Sequence, residues 1–595
     1  MQNTYKNDVE RDLYLRKVAL GEIEGEMTGY PSIDKPWLKY YSEEAINAKL
    51  PECTIYEYLW ENNKDHLDDV ALNYFDRTIT YKKLFENIEK TASAFVSLGI
   101  TKGDIVTIQS LSLPQVIYML YALSKIGAVA NMIYATSTPK EVIDNLTQTK
   151  SKMYVVIDSI YAKLNTKITT PYLKNTILLS VADEMPLLLK IGYNLKNKTA
   201  KPEGQTLNWK SFLQYASKNK VPVTGCSSDV VTMVYTGGTT GKSKGVMLSN
   251  FNLNAGVLQC KEVGCFERQK VFLSVLPPFV VFGLMDAIFA PLTIGLVTVL
   301  GVSANPLDFS MFVEKYKPNY IICGTAQAEK MLLALDKKAI NLSCLEWFAV
   351  GGDTLSPKQE QTFNEFLKRH NSKIKLSQGY SMSETSAATV CSAYTLKKII
   401  FKQGTVGIPL VHTNIKVVDV ETNVDLPYNM QGEICMNSPC IMMGYYQNKE
   451  ETNNVIKSHK DGQRWIHTGV LGSIDEDGFI TIVGRIKRMI LTSENDIFHK
   501  VFPKILEDAF LKLDSINAIS IVVKPNKETI NDLIAFVVLE EGISREHALS
   551  AIQQFAKDKL ESFERPVAFI FEDKLPLTTI GKVDYRALEK EAEKL

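Results

Sequence analysis

The sequence predicts an α/β fold, with layered α/β units and largely parallel sheets followed by a β-rich unit and a last α/β segment. Three observations predict it. Short β-branched runs alternate with apolar helical segments from about residue 51, and near Gly404 the texture changes to short strands separated by turns. The length, 595 residues, is too great for one core and corresponds to roughly three to five structural units.

In chain order, residues 1–50 form a polar and aromatic lead ending near Pro51. The body, 51–486, opens with DVALNYF as a strand, TYKKLFENIEKTASAFVSLGI as a helix and DIVTIQS as a strand, then a helix near Val116 to Ile126 and the strand MYVVID. The run Leu113 to Tyr134 carries Lys125 in its middle and reads as a core helix. Lysine-rich residues 190–210 read as an exposed excursion. Val271 to Val302 holds a single charge, Asp286, over a length that could span a bilayer. Pro277, Pro278 and Pro291 divide it, so strand, buried helix and strand is the better reading. From about residue 404 to 486, NIKVVD, GEICM and DGFITIVG predict the β-rich unit, and 487–595 returns to α/β texture.

Composition excludes several functions. Lys plus Arg equals Asp plus Glu, 67 each, so no global field draws a polyanion and nucleic acid is not an expected partner. Any phosphate site has to be local. The nine cysteines are an odd, scattered set without CxxC, the histidines form no HxxxH or HExxH, and MQNTYKNDVERDLYLRK has no apolar core of a signal peptide. These features predict a reducing, cytoplasmic setting and argue against a zinc or disulfide framework.

The stretch Tyr235 to Val246, YTGGTTGKSKGV, is built for an anion. A Walker loop needs GxxxxGK[ST] followed by a helix whose N-terminus faces the phosphate. Gly241-Lys242-Ser243 has the right ending, but Thr236 stands where the first glycine belongs, and Ser243-Lys244-Gly245-Val246 reads as a turn and not as a helix start. A strand, a loop rich in hydroxyl and amide donors with two lysines, and a turn suit a polyphosphate tail under a mobile lid.

This loop resembles the phosphate-binding motif of the adenylate-forming (AMP-binding) superfamily, which includes acyl-CoA synthetases. Further stretches resemble its other motifs in the same order over roughly residues 50 to 595: AVGGDTL (Ala349 to Leu355), Tyr380-Ser381-Met382-Ser383-Glu384, Gly432-Glu433 with Gly444-Tyr445-Tyr446, Trp465 to Gly478, Gly484-Arg485-Ile486-Lys487, and PLTTIGKVD (Pro576 to Asp584). The resemblance implies a large N-terminal domain of layered α/β subdomains plus a β-rich subdomain, with a small mobile α+β C-terminal domain. It implies ATP, Mg²⁺ and CoA as cofactors and a small carboxylic acid as substrate, which attacks the α-phosphate of ATP before a thiol displaces AMP. Catalysis of this type rests on positioning and charge neutralisation. Carried over residue by residue, Lys582 would bridge the carboxylate and α-phosphate oxygens, and Glu384 and Thr239 would hold Mg²⁺. Thr236, Gly237, Gly238, Thr239, Thr240, Gly241 and Lys244 would surround the β- and γ-phosphates. Gly352, Asp353, Gln378, Gly379 and Ser383 would border the nucleotide, with Tyr380 stacked on adenine. Arg485 would reach the ribose, and Lys487 would be the hinge.

The pattern breaks in several places. Val470 stands in Thr468-Gly469-Val470 where the motif has an aspartate for the ribose hydroxyls, Val280 stands where many relatives have histidine, and Ser381 replaces a glycine. After Lys487, LTSENDIFHKVFPKILED lacks the expected glycine and is stretched. A working ligase with a reshaped nucleotide and thiol site is one reading, and a relative that binds ligands but turns over slowly or not at all is the other. The apolar run Val281 to Leu300 predicts a medium- or long-chain fatty acid as substrate, with aryl acids and a carrier-protein thiol as alternatives. Met185 to Lys198, MPLLLKIGYNLKNK, mixes leucines with lysines and raises a peripheral contact with membrane against a solvated excursion.

Overall fold

Two large sheets, both mostly parallel in their centres, carry the body of the chain in a computed structural model. It describes residues 7–595 except 197–203, 237–242, 265, 303–307, 337, 339, 353, 354, 356, 396, 397, 495, 496, 527, 528 and 578–582. One sheet has eight strands among the described residues. Its centre is built from Val129–Met132, Ile105–Gln109 and Met153–Ile157, and one edge from the hairpin Val230–Tyr235 and Gly245–Ser249. The other has nine, with Val271–Ser274, Tyr320–Gly324, Trp347–Gly351 and Ser377–Met382 at its centre. Both contribute to the largest apolar cluster, Leu72 from one and Val106 from the other.

The helix Pro114–Ile126 shows why the alternation was readable. All 13 of its residues are buried, which a helix apolar on every side requires. Pro114 starts it at a position where no amide donor is lost, and Gly127 ends it at φ 70°, in the left-handed region that glycine enters without strain. Lys125 is buried within it, paired with Glu89 and 4.5 Å from the centre of the Tyr56 ring.

The run folds as strand Val271–Ser274, helical turns from Val281 to Ile294 and strand Val297–Leu300; Pro277 and Pro278 separate the first strand from the helix, but Pro291 lies within the helical turns, which end at Gly295 with φ 97°. No helix among the described residues is long and apolar enough to cross a membrane. After residue 404 come the strands Asn414–Val418, Gly432–Asn437, Arg464–Ile474, Ile456–Ser458 and Ile480–Arg485 of a β-rich layer. The lead packs into the body. Trp37, Leu38 and Tyr41 share a core with Leu410 and Phe479, and the Tyr41 hydroxyl donates to the Pro409 carbonyl at 2.9 Å.

The stretched segment after Lys487 is a hairpin, Ile490–Glu494 with Ile497–Val501, followed by the helix Pro503–Phe510. Further on, Ile516–Asn526, Ile530–Leu539 and Ala568–Phe571 form a three-stranded sheet with its own core around Phe510 and Ile521. Lys358 Nζ lies 3.6 Å from Asp514 Oδ1 across to this smaller part.

Candidate active site

The phosphate loop leaves from and returns to two paired strands. Strands Val230–Tyr235 and Gly245–Ser249 pair antiparallel down to Tyr235 and Gly245, and the next helix, Asn250–Val263, begins only after the second strand. A helix does not follow the loop directly, as expected, but Ser243 to Val246 leads into a strand and not a turn. The base of the loop is clamped: Thr236 N–H donates to the Lys244 carbonyl at 3.1 Å, Lys244 N–H to Thr236 Oγ1 at 3.3 Å, and Ser243 Oγ–H to the Thr236 carbonyl at 2.7 Å. Gly237, Gly238, Thr239, Thr240 and Gly241 lie outside the described residues.

Lys244 leads from this loop to the predicted metal ligand. Its ammonium pairs with Glu451 and sits 4.7 Å from the centre of the Tyr445 ring, while the Tyr445 hydroxyl donates to Glu384 Oε1 at 2.7 Å. The short strand Gly444–Tyr445 is held beside the hairpin by its pairing with Met247 and Val246. Glu384 sits in a single turn, Ser383–Thr385, and its carbonyl accepts the Met442 N–H at 2.8 Å. Burial, and then the Glu384 carboxylate, push the Tyr445 phenol well up, so it remains a donor to that carboxylate. Lys244 holds Glu451 below the usual carboxylate range. Lys487, exposed at the predicted hinge, adds its charge to the field at Glu451. Sequence reasoning missed Glu451, which is 207 residues from its partner.

The corner where the motif expects the ribose is built by two antiparallel strands, Arg464–Ile474 and Ile480–Arg485. Val470 pairs with Arg485, whose guanidinium is exposed, and the Val470 side chain is packed in the main apolar cluster at 6% exposure. Gly469 has φ 67°, which brings its N–H onto Glu433 Oε1 at 2.8 Å. Glu433 Oε2 accepts from His467 Nδ1 at 2.8 Å, and His467 Nε2 lies 2.9 Å from His459 Nε2. Burial acts to raise the Glu433 pKa, but His467 and the Gly469 N–H outweigh it and hold the carboxyl below its ordinary range. Glu433, Cys435 and His467 offer donor atoms within 4.8 Å of one another, a cluster that no local spacing in the sequence announced. Both Glu433 oxygens and both His467 nitrogens already have partners within the protein, so the network closes without an ion. Tyr380 is half-buried, with its hydroxyl toward Thr468 and the charges of Arg485 and Glu384 nearby, and desolvation raises its pKa.

Of the other predicted positions, Gly352 has φ 90° with open space beyond it, and Asp353 lies outside the described residues. Gln378 is turned inward, donating to Glu360 Oε2 at 2.9 Å. Gly379 and Ser381 border a narrow cleft of about 30 Å³, with Phe282, Trp347, Cys260 and Asp286 among its other walls. Buried Asp286 accepts from the Cys260 thiol at 3.2 Å, a polar pair in the wall of the cleft that the apolar run did not reveal. Val280 caps the turn Val281–Leu284 that delivers Phe282. Lys582 lies outside the described residues, between Leu577 and Val583, which bridge each other.

A two-part family match accompanies this geometry: the AMP-binding enzyme profile covers residues 59–446, and the AMP-binding enzyme C-terminal domain covers 506–582. Among curated relatives, a long-chain-fatty-acid–CoA ligase of Bacillus subtilis is 26% identical, over 94% of this chain and 98% of its own length. The 4-coumarate–CoA ligase CCL1 of Humulus lupulus is also 26% identical, over 91% and 96%. Among solved structures, the anthranilate CoA ligase AuaEII in complex with anthranoyl-AMP superposes with a TM-score of 0.77 at 18% identity, covering 92% of this chain and 99% of that one. ATP-bound MatB from Rhodopseudomonas palustris gives 0.74 at 21%, covering 90% and 99%. The clamped base of the loop, the Glu384–Tyr445 contact, the antiparallel pair that joins Val470 to Arg485 and a family match over more than half the chain lead to one conclusion: the chain belongs to the AMP-binding enzyme family, as an acid–thiol ligase that works through an acyl-adenylate.

Proposed function

We propose that the chain joins a medium- or long-chain fatty acid to CoA. The observation that carries this reading is the lining of the narrow cleft beside Tyr380, apolar apart from Ser381 and the Asp286–Cys260 pair; at about 30 Å³ the cleft has to widen to admit an acyl chain. No cation lines it among the described residues, so it has nothing to hold a second carboxylate at the far end of the acid. The similarity to long-chain ligases of Bacillus subtilis and Escherichia coli supports the same substrate class. A second reading, an aryl acid, is favoured by the Phe282 and Trp347 rings at the cleft and by the similarity to 4-coumarate ligases.

In the first half-reaction a carboxylate oxygen attacks the α-phosphorus of ATP, and the bond to the bridging oxygen breaks as pyrophosphate leaves. In the second, the CoA sulfur attacks the acyl carbon, the bond to the AMP oxygen breaks, and the thiol proton passes to solvent. The chain supplies position and charge. Lys244 exchanges Glu451 for a phosphate oxygen, and Lys582 offsets the charge that builds between carboxylate and α-phosphate. Glu384 suits a hard cation: Tyr445 holds Oε1, and among the described residues Oε2 takes no hydrogen bond. Glu384 and Thr239 would hold Mg²⁺, which when bound neutralises part of the triphosphate charge.

Pyrophosphate release with ATP, Mg²⁺ and parallel panels of straight-chain fatty acids and aryl acids, with and without CoA, tests the proposal. Straight-chain acids are expected to give the highest kcat/KM. Aryl acids preferred by more than about tenfold, a difference of 1.4 kcal/mol, overturn the fatty-acid reading. Absence of acid-dependent release with every acid overturns the adenylation chemistry.

A further inference from the structure

We infer that Tyr134 is a positioning residue for the triphosphate: its hydroxyl fixes the peptide at which the phosphate loop leaves the sheet. The strands Val129–Met132 and Val230–Tyr235 run parallel, with Ala130 opposite Thr232 and Asn131 opposite Met233. Past that register a side chain takes over from the ladder, and the Tyr134 hydroxyl donates to the Tyr235 carbonyl at 2.8 Å. That carbonyl belongs to the same planar unit as the Thr236 N–H, which donates to the Lys244 carbonyl at 3.1 Å. One rigid peptide is therefore held from both sides, by Tyr134 from the sheet and by Lys244 where the loop returns. Its tilt sets the spacing of Thr236 and Lys244, the two described residues of the loop expected to meet phosphate oxygens.

The hydroxyl is itself held in place. The Tyr134 ring stands edge-on to Phe279, with 5.5 Å between the centres and 70° between the planes. Burial raises the Tyr134 pKa, so the proton needed for donation stays on. The Tyr235 side chain is anchored as well. Its hydroxyl donates to Asn131 Oδ1 at 2.9 Å, and the Asn131 amide donates to Thr107 Oγ1 at 2.8 Å and to Asn145 Oδ1 at 2.7 Å. Preorganisation of this kind strengthens binding by lowering the entropy lost when the ligand arrives. The inference rests on the reading that this loop holds the β- and γ-phosphates, and it does not depend on which acid the cleft accepts.

The test is calorimetric titration of the full chain with ATP and with AMP, in Mg²⁺ and without an acid, on wild type, Tyr134→Phe, Lys244→Ala and Tyr74→Phe. Tyr134→Phe keeps the ring beside Phe279 and removes only the hydroxyl. It is expected to weaken ATP about three- to tenfold, the worth of one hydrogen bond, and to leave AMP, which lacks the β- and γ-phosphates, at wild-type strength. Tyr74, on the nine-stranded sheet, donates the same kind of bond to the Val181 carbonyl at 2.7 Å, and Tyr74→Phe is expected to bind both nucleotides as wild type does. Wild-type ATP affinity in Tyr134→Phe, with ATP weakened in Lys244→Ala, overturns this inference alone. ATP and AMP weakened alike by Tyr134→Phe overturns it too and leaves the hydroxyl a structural role only. Lys244→Ala binding ATP at wild-type strength, or wild type binding no ATP, overturns the reading of the loop and the inference with it.

Discussion

Replacing Val470 by aspartate puts a carboxylate at the ribose corner, and the structure lets its effects be worked out separately for stability and for nucleotide binding. Val470 is 6% exposed and packed, so removing it forfeits about 1.5–3 kcal/mol of apolar burial at most. The new carboxylate faces Arg485 across the strand pair, and a cross-strand pair of opposite charge returns about 0.2–1 kcal/mol. The net loss, roughly 0.5–3 kcal/mol before the further cost of desolvating a carboxylate at this buried position, lowers Tm by several degrees in a protein of this size. Against that, a hydrogen bond to a charged group contributes about 1.5–3 kcal/mol, which corresponds to a fall of roughly 10- to 150-fold in the half-saturating ATP concentration. The assay is acid-dependent ATP–pyrophosphate exchange across an ATP series, with Val470→Leu as the packing control and Val470→Asn as the neutral intermediate. An unchanged half-saturating ATP concentration in folded Val470→Asp, equal to that of Val470→Leu, refutes the reasoning that a missing carboxylate limits nucleotide binding.

Two further outcomes follow from the same geometry. Glu451→Gln removes the anion that holds Lys244, so half-saturating ATP is expected to fall several-fold in the same exchange assay, whereas a rise shows that Glu451 itself supports the nucleotide. Glu433 gives a pH dependence whose sign is fixed. Its folded pKa is held below the ordinary 4.5, so its contribution to stability is complete above 4.5 and is lost as pH falls through the lower folded value. Tm measured from pH 6 downward is expected to drop more steeply below 4.5 for wild type than for Glu433→Gln, and parallel curves contradict the assignment.

Much of the fold was legible because local patterns cause it. The prolines at 277 and 278 separate a strand from the helical turns that follow, which Gly295 and not Pro291 ends, and Pro114 and Gly127 bound a helix that is apolar on all sides. That no helix starts at Lys244 was readable from Ser243-Lys244-Gly245-Val246, but the second strand Gly245–Ser249, which pairs back on Val230–Tyr235, was not. What escaped was joined only by folding. Glu451 reaches Lys244 across 207 residues, and Glu433 meets His467 across 34 because antiparallel strands align them. Neither pairing leaves a spacing in the chain. Gln378 looked like a nucleotide-site residue from its motif, yet its amide is engaged inward with Glu360. The stretch after Lys487 read only as an irregular motif because a short hairpin has no helical or long-strand period to announce it.

The most direct measurement of the central claim is exchange of labelled pyrophosphate into ATP, with and without a fatty acid, by wild type and Lys582→Ala. The account predicts exchange that depends on the acid in wild type and falls by at least about 100-fold in the variant, in keeping with a charge-stabilising group at the reacting centre. Exchange that needs no acid, or that continues undiminished without the lysine, contradicts it.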